Sequence, residues 1–170
     1  MKLGRGQHLG YCTNIHPGET WAQVRASLQA HVPLIRARVC PGQPFGIGLR
    51  LSAQAARTLA DPAQMAEFRQ FLREHDVYVF TLNGFPYGTF HGAPVKEAVY
   101  RPSWADPARA AYTLAAAHVM AALGGGQTVT LSTVAGGYRP DGDDKKSRDD
   151  MARNMAQVAA VKLGDWLEEA

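Results

Sequence analysis

Seven side chains in this chain could together hold and turn over a small polar molecule: Asn14, His16, Arg50, Asn83, Tyr87, His91 and Ser132. The amides of Asn14 and Asn83 and the hydroxyl of Ser132 both donate and accept hydrogen bonds. Arg50 would grip an anionic or hydroxyl group. His91 is the candidate for proton transfer, because an imidazole titrates near neutral pH. Each also has a structural reading. Arg50 can close an internal ion pair, and Asn83 before Gly84 can make an Asx turn. His16 before Pro17 can be a turn residue, and His91 a satisfied structural histidine. Gly136-Gly137 offers N–H groups to an anion, or simply a tight turn. Cys12 shares strand parity with Asn14 and reads first as a small buried thiol.

A metal centre finds little support in the same residues. Divalent ions need converging carboxylates or imidazoles, and no Asp or Glu falls at an expected strand end. Asp141-Gly142-Asp143-Asp144 lacks the spacing and closing Glu of an EF-hand loop. No P-loop, GxGxxG fingerprint or Ser-His-Asp pattern is present. The cofactor stays unnamed, with a divalent metal left open for a longer form of the protein.

The elements that must position these residues can be read from pattern. Strands are expected over 9–15, 45–51, 77–82 and 128–134, from β-branched and aromatic runs. A helix capped by Thr20 should run over 21–39, with Trp21, Val24, Leu28 and Leu34 or Ile35 on one stripe and a kink or break at Pro33. Ser52 should cap the next helix, which Asp61-Pro62 restarts as a second piece. Asp106-Pro107 opens a third helix that Gly124-Gly125-Gly126 ends, and a last helix should span about 147–168. The order β-α-β-α-β-α-β-α demands parallel strands joined by right-handed crossovers. Either an open doubly wound sheet or part of a (β/α)8 barrel satisfies it. The strand interiors favour the barrel. Gly46, Gly48 and Arg50 share one face against Ile47, Leu49 and Leu51; Thr81 and Asn83 oppose Phe80 and Leu82; Thr128, Thr130 and Ser132 oppose Val129 and Leu131. Strands covered by helices on both sides are apolar on both faces, so a small, polar face points to a lumen. Sites in such folds form at the carboxyl ends of the strands, where Asn14, His16, Arg50, Asn83 and Ser132 arrive. The loop after the third strand, long, aromatic and glycine-studded, adds Tyr87 and His91 and would close over a ligand.

The chain has 170 residues, enough for one core, with 46% hydrophobic and 19% charged residues, a globular composition. From Asp141 onward 8 acidic and 5 basic residues give −3, which leaves +6 before it. That scattered excess suits anionic metabolites better than nucleic acid, which would call for a basic run. Two cysteines, no leader-like start and no apolar run long enough for a membrane span lead to the expectation of a reduced, cytoplasmic protein.

Three strings carry a resemblance: MKLGRGQHLGYCTNIHPGETW at the start, FGIGLRLSAQAA from Phe45, and YVFTLNGFPYGTFHGAPVKEAVYRPSW from Tyr78. STVAGGYRP from Ser132 matches more loosely. They resemble the EboE metabolite-traffic proteins, which belong with the xylose isomerase-like TIM barrels. The resemblance implies a (β/α)8 barrel, a role in moving a processed metabolite with membrane-associated partners, and isomerase- or epimerase-like chemistry on a sugar phosphate. Family members are longer, so a single barrel domain cut after the fourth βα unit is expected, with open edges that would recruit a second copy. Two competing readings stand beside it. One is a non-catalytic binding or carrier subunit. The other is a phosphodiesterase of the endonuclease type, whose cluster of His and carboxylate ligands is not found here.

Overall fold

The computed structural model describes residues 1–88, 96–142 and 144–161. The chain opens on a hairpin that the strand pattern did not announce. β1 (Lys2–Gly4) pairs antiparallel with β2 (Gln7–His8). Arg5 at φ 48 and Gly6 at φ 73 make its turn in the left-handed region, the mirror-image geometry that matches strand twist. β3 (Gly10–Cys12) is shorter than expected because Thr13–Ile15 winds into a single 3-10 turn.

α1 (Trp21–Val39) begins with a reciprocal cap. Thr20 Oγ1 accepts from the Gln23 N–H at 3.2 Å, and the Gln23 side chain accepts from the Thr20 N–H at 3.1 Å. Helix continues through Pro33. Gln29, whose carbonyl Pro33 has no N–H to meet, lies on the exposed side, where water can serve it. The buried stripe is Trp21, Val24, Leu28 and Val32; of the expected pair Leu34 faces outward at 66% exposure, while Ile35 packs partly buried against the core. β4 (Phe45–Arg50) follows, then the expected two-piece helix: α2 (Ala53–Leu59) capped by Ser52 and α3 (Pro62–Glu74) capped by Asp61. β5 (Val77–Asn83) leads to α4 (Pro107–Gly124), which Asp106 caps and Gly125 ends at φ 54. β6 (Thr130–Ser132) is a short edge strand. α5 (Lys145–Ala159) starts on Asp144. Its buried residue is Asn154, whose Nδ2 donates to the Trp104 carbonyl at 2.8 Å; Met151 and Val158 pack partly buried against Trp104, Ala110 and Val134, while Met155 is exposed.

β3, β4, β5 and β6 form one parallel sheet in that sequential order, separate from the hairpin. One face is apolar. Ile47, Leu49, Leu51 and Leu82 are fully buried there with Leu28, Val32, Ala56, Leu59, Phe68, Ala116 and Val119 from the helices. Burial on this scale stabilises by roughly 2 kcal/mol per large side chain.

The other face carries Gly46, Gly48, Thr81 and Asn83 beside the rings of Tyr78 and Phe80. The atoms nearest to a Cβ added at Gly48 belong to Thr81, Cys12 and Tyr11, and those nearest to one added at Gly46 belong to Tyr78 and Phe80, so strand residues rather than a helix stand closest to both buried glycines. A bulge in β5 alters the expected alternation. Ile47 pairs with Val79, but Gly48 pairs with Thr81, so Phe80 is the extra residue. Phe80 therefore joins Tyr78 on the open face rather than sharing a side with Leu82, and its ring stacks on His8 at 5.0 Å. Among the described residues no helix is long and apolar enough to cross a membrane.

Candidate functional site

Register brings the strand ends to one level. Arg50 lies opposite Asn83, and Asn83 opposite Ser132. One rung back, Cys12, Gly48, Thr81 and Thr130 are aligned. Asn14 arrives from the 3-10 turn after β3. Three of the expected ligand-binding residues meet directly. Asn83 Nδ2 donates to Asn14 Oδ1 at 2.9 Å, and Ser132 Oγ donates to Asn83 Oδ1 at 3.3 Å. Below them the Thr81 and Thr130 hydroxyls share a hydrogen bond of 2.8 Å. Cys12 is exposed, not the buried thiol expected, and its sulfur accepts from Asn83 Nδ2 at 3.4 Å. Its β4 neighbour Gly48 has no side chain to stand over the thiol, and among the described residues no helix does.

The other expected residues are engaged elsewhere. Arg50 is 2% exposed. Its Nη1 donates to the Gly18 carbonyl at 3.0 Å, and Nη2 donates to Glu19 Oε1 at 2.8 Å and to the Gly88 carbonyl at 3.4 Å. That is the internal ion pair of the structural reading, formed because the β3–α1 connection folds across the end of β4. The crevice that Thr13, His16, Ser27 and Arg50 share holds ≈ 10 Å³, the threshold for a single water. His16 bonds the Tyr11 hydroxyl through Nε2 at 2.6 Å and stacks on His31 at 4.3 Å. Burial first, and then Cys12, raises the Tyr11 phenol above its ordinary range. Tyr87 sets its ring edge-on to Tyr112 at 5.5 Å. His91, the candidate for proton transfer, lies outside the described residues.

The segment entering that loop is fastened to the scaffold. Arg109 Nη1 donates to the Gly84 and Phe85 carbonyls, each at 3.1 Å. The Tyr112 hydroxyl reaches the Pro86 carbonyl at 3.4 Å, the Ala53 N–H bonds the Tyr87 carbonyl at 2.8 Å, and Arg50 holds Gly88. Every carbonyl from Gly84 to Gly88 thus has a donor on β4, α2 or α4. This part of the expected lid is anchored; the remainder, residues 89–95, lies outside the described residues.

Arg109 and Tyr112 are the functional residues that sequence reasoning missed. A signal was present: Arg109 is the one charged residue in the alanine-rich α4, and Tyr112 follows it at i+3 on the same face. Tyr112 also donates to the Leu51 carbonyl at 2.6 Å, and its burial lifts its phenol far above the ordinary value. Among the described residues no group of three His, Cys, Asp or Glu converges in a way that could hold a metal ion. What the strand ends offer is therefore amides, hydroxyls and one thiol: groups that bind, orient and discriminate by hydrogen bonding. Compared with family models, curated proteins and solved structures, the chain matches none.

Proposed function

We propose that this protein binds a small polar or anionic metabolite at the carboxyl ends of its parallel strands, in the manner of a xylose isomerase-like barrel. One observation carries the reading. Asn14, Asn83 and Ser132 come from three chain segments, with bonded pairs 69 and 49 residues apart, and form one hydrogen-bonded array on the open face. Such an array can exchange its internal bonds for those of a polyhydroxylated or oxyanionic ligand. The sequential strand order, the helices on one face and the Gly46–Gly48 floor support the finer reading that these four βα units are half of a TIM barrel. The resemblance to EboE metabolite-traffic proteins supplies the role within this proposal: handling of a processed metabolite, with isomerisation or epimerisation of a sugar phosphate as the reaction it implies. The test is thermal shift with sugars, polyols and sugar phosphates. A ligand that stabilises the wild type should lose about tenfold in affinity in Asn83→Ala. Equal affinity in the variant removes the array from the site.

A second reading, the non-catalytic carrier that hands its ligand to membrane-associated partners, draws on the same array. Amides and hydroxyls do not titrate near neutral pH, so this cluster by itself favours holding over proton transfer. Turnover of any sugar phosphate by the purified protein would decide against it. The β3 and β6 edges are the places where a second copy would pair, giving a homodimer of eight strands. Sedimentation velocity at rising concentration should show that dimer; a monomer throughout ends this part of the proposal.

A further inference from the structure

Two guanidinium groups are buried near the strand ends, and among the described residues one has a counter-charge and the other does not. Arg50 has Glu19. Arg109 is 0% exposed, and no described carboxylate pairs with it. Its donors meet main-chain carbonyls alone: Nε meets Pro102 at 2.9 Å, and Nη1 meets Gly84 and Phe85 at 3.1 Å. Nη2 is buried with no partner. The Tyr87 and Tyr112 rings lie 5.8 and 5.5 Å from the guanidinium, so its neighbours are aromatic rather than acidic. Burial lowers its proton affinity, and the Tyr112 and Tyr87 phenols act against that. Carbonyl dipoles satisfy hydrogen bonds, but they do not cancel a full positive charge.

That charge stands directly behind the amide array. It bonds the Gly84 carbonyl; the Gly84 N–H bonds the Ser132 carbonyl at 3.0 Å, and Gly84 follows Asn83 in the chain. By chain connectivity the guanidinium lies roughly 8–10 Å from a ligand seated on Asn83. Across protein rather than water, a unit charge at that range alters affinity for an anion on the order of tenfold. We infer that Arg109 is a fixed, unneutralised charge that makes the strand-end mouth select a small oxyanion, carboxylate or phosphate, over a neutral ligand of the same shape. The inference rests on the binding role proposed for Asn14, Asn83 and Ser132 and names the ligand class that this role serves. Arg109 touches no ligand in this scheme; it is a positioning and field-setting residue.

The experiment compares charged and neutral isosteres on the whole chain at low salt. Malonate is titrated against malonamide, with inorganic phosphate as a second oxyanion, and affinities are read from saturable shifts in Tm. In the wild type, malonate and phosphate should bind at least tenfold tighter than malonamide. This arm needs no variant, so a folding defect cannot blur it. Arg109→Lys, which keeps the charge and loses the fork, should retain the preference. Folded Arg109→Met should bind malonate and malonamide alike, a change that a purely structural arginine would not produce. A wild type that favours malonamide, treats the two equally or binds neither oxyanion overturns the inference, as does a folded Arg109→Met that keeps the preference. Failure of the underlying binding role looks different: a preference present in wild type and unmoved in Asn83→Ala places the oxyanion elsewhere.

Discussion

Arg50 and Arg109 reach the same segment of chain from opposite sides and resolve the same physical problem differently. Both are buried, and both hold carbonyls between Gly84 and Gly88. Arg50 sits at the end of β4, where the chain entering α1 delivers Glu19 to it, so burial there creates a neutral pair. Arg109 sits in the first turns of α4, where three carbonyls and two phenol rings surround it, so burial there leaves the charge in place. Side-chain burial alone therefore says little about a charged group's role. What decides is whether its partners carry opposite charge or only dipoles. The first arrangement fastens a loop; the second fastens a loop and also sets a field at the mouth.

The comparison can be broken by removing each arginine in turn. Arg109→Met should have the larger effect on stability, about 4 kcal/mol, because it strands three carbonyls at once, one buried and two part-buried; urea unfolding measures it. A loss below that of Arg50→Leu would mean that the carbonyl shell is weaker than its geometry states. Arg50→Leu should cost about 3 kcal/mol, since it leaves Glu19, 30% exposed, beside an apolar side chain. Glu19→Gln should cost less, about 1 kcal/mol, because the Gly18 and Gly88 carbonyls still hold the guanidinium. If the two changes cost the same, the ion pair rather than the carbonyl bonds supports Arg50.

A fourth variant sharpens the part that Tyr112 plays beside Arg109. Tyr112→Phe deletes the bonds to the Leu51 and Pro86 carbonyls and should cost about 1.5 kcal/mol at neutral pH. Burial raises the Tyr112 phenol above its ordinary value of 10.0 in the folded state. The unfolded chain therefore loses this proton first, so the stability contributed by neutral Tyr112 is intact below pH 10 and declines as pH rises beyond it. Alkaline denaturation should be shallower in Tyr112→Phe than in wild type. Parallel curves would show that Tyr112 does not stay neutral in the fold.

Much of the scaffold was legible in local pattern. Thr20, Ser52, Asp61 and Asp106 each read as a cap and each is one, because a side-chain oxygen meeting an N–H two or three residues on is a short-range event. The small, polar face of the strands was legible too, and it predicted the meeting of Asn14, Asn83 and Ser132. The N-terminal hairpin escaped notice because its strands are only three and two residues long, too short for period-2 alternation to show. The β5 bulge escaped because an extra residue changes parity without changing composition, which is why Phe80 was assigned to the wrong side. Arg50 was expected in the mouth because parity points it there; parity cannot reveal that Glu19, 31 residues earlier, folds across to neutralise it.

The amino-acid order alone determined where helices begin, which strands carry a small face, and that four parallel strands would follow one another with helices between them. These properties depend on contacts within a few residues, where side-chain chemistry and backbone geometry leave few alternatives. Tertiary structure decided which amides meet, which thiol stays exposed, and which of two buried arginines meets a carboxylate. Those outcomes depend on register and crossover between segments 25 to 71 residues apart, and at that range a hydrogen bond forms or fails on ångström differences that no local pattern encodes.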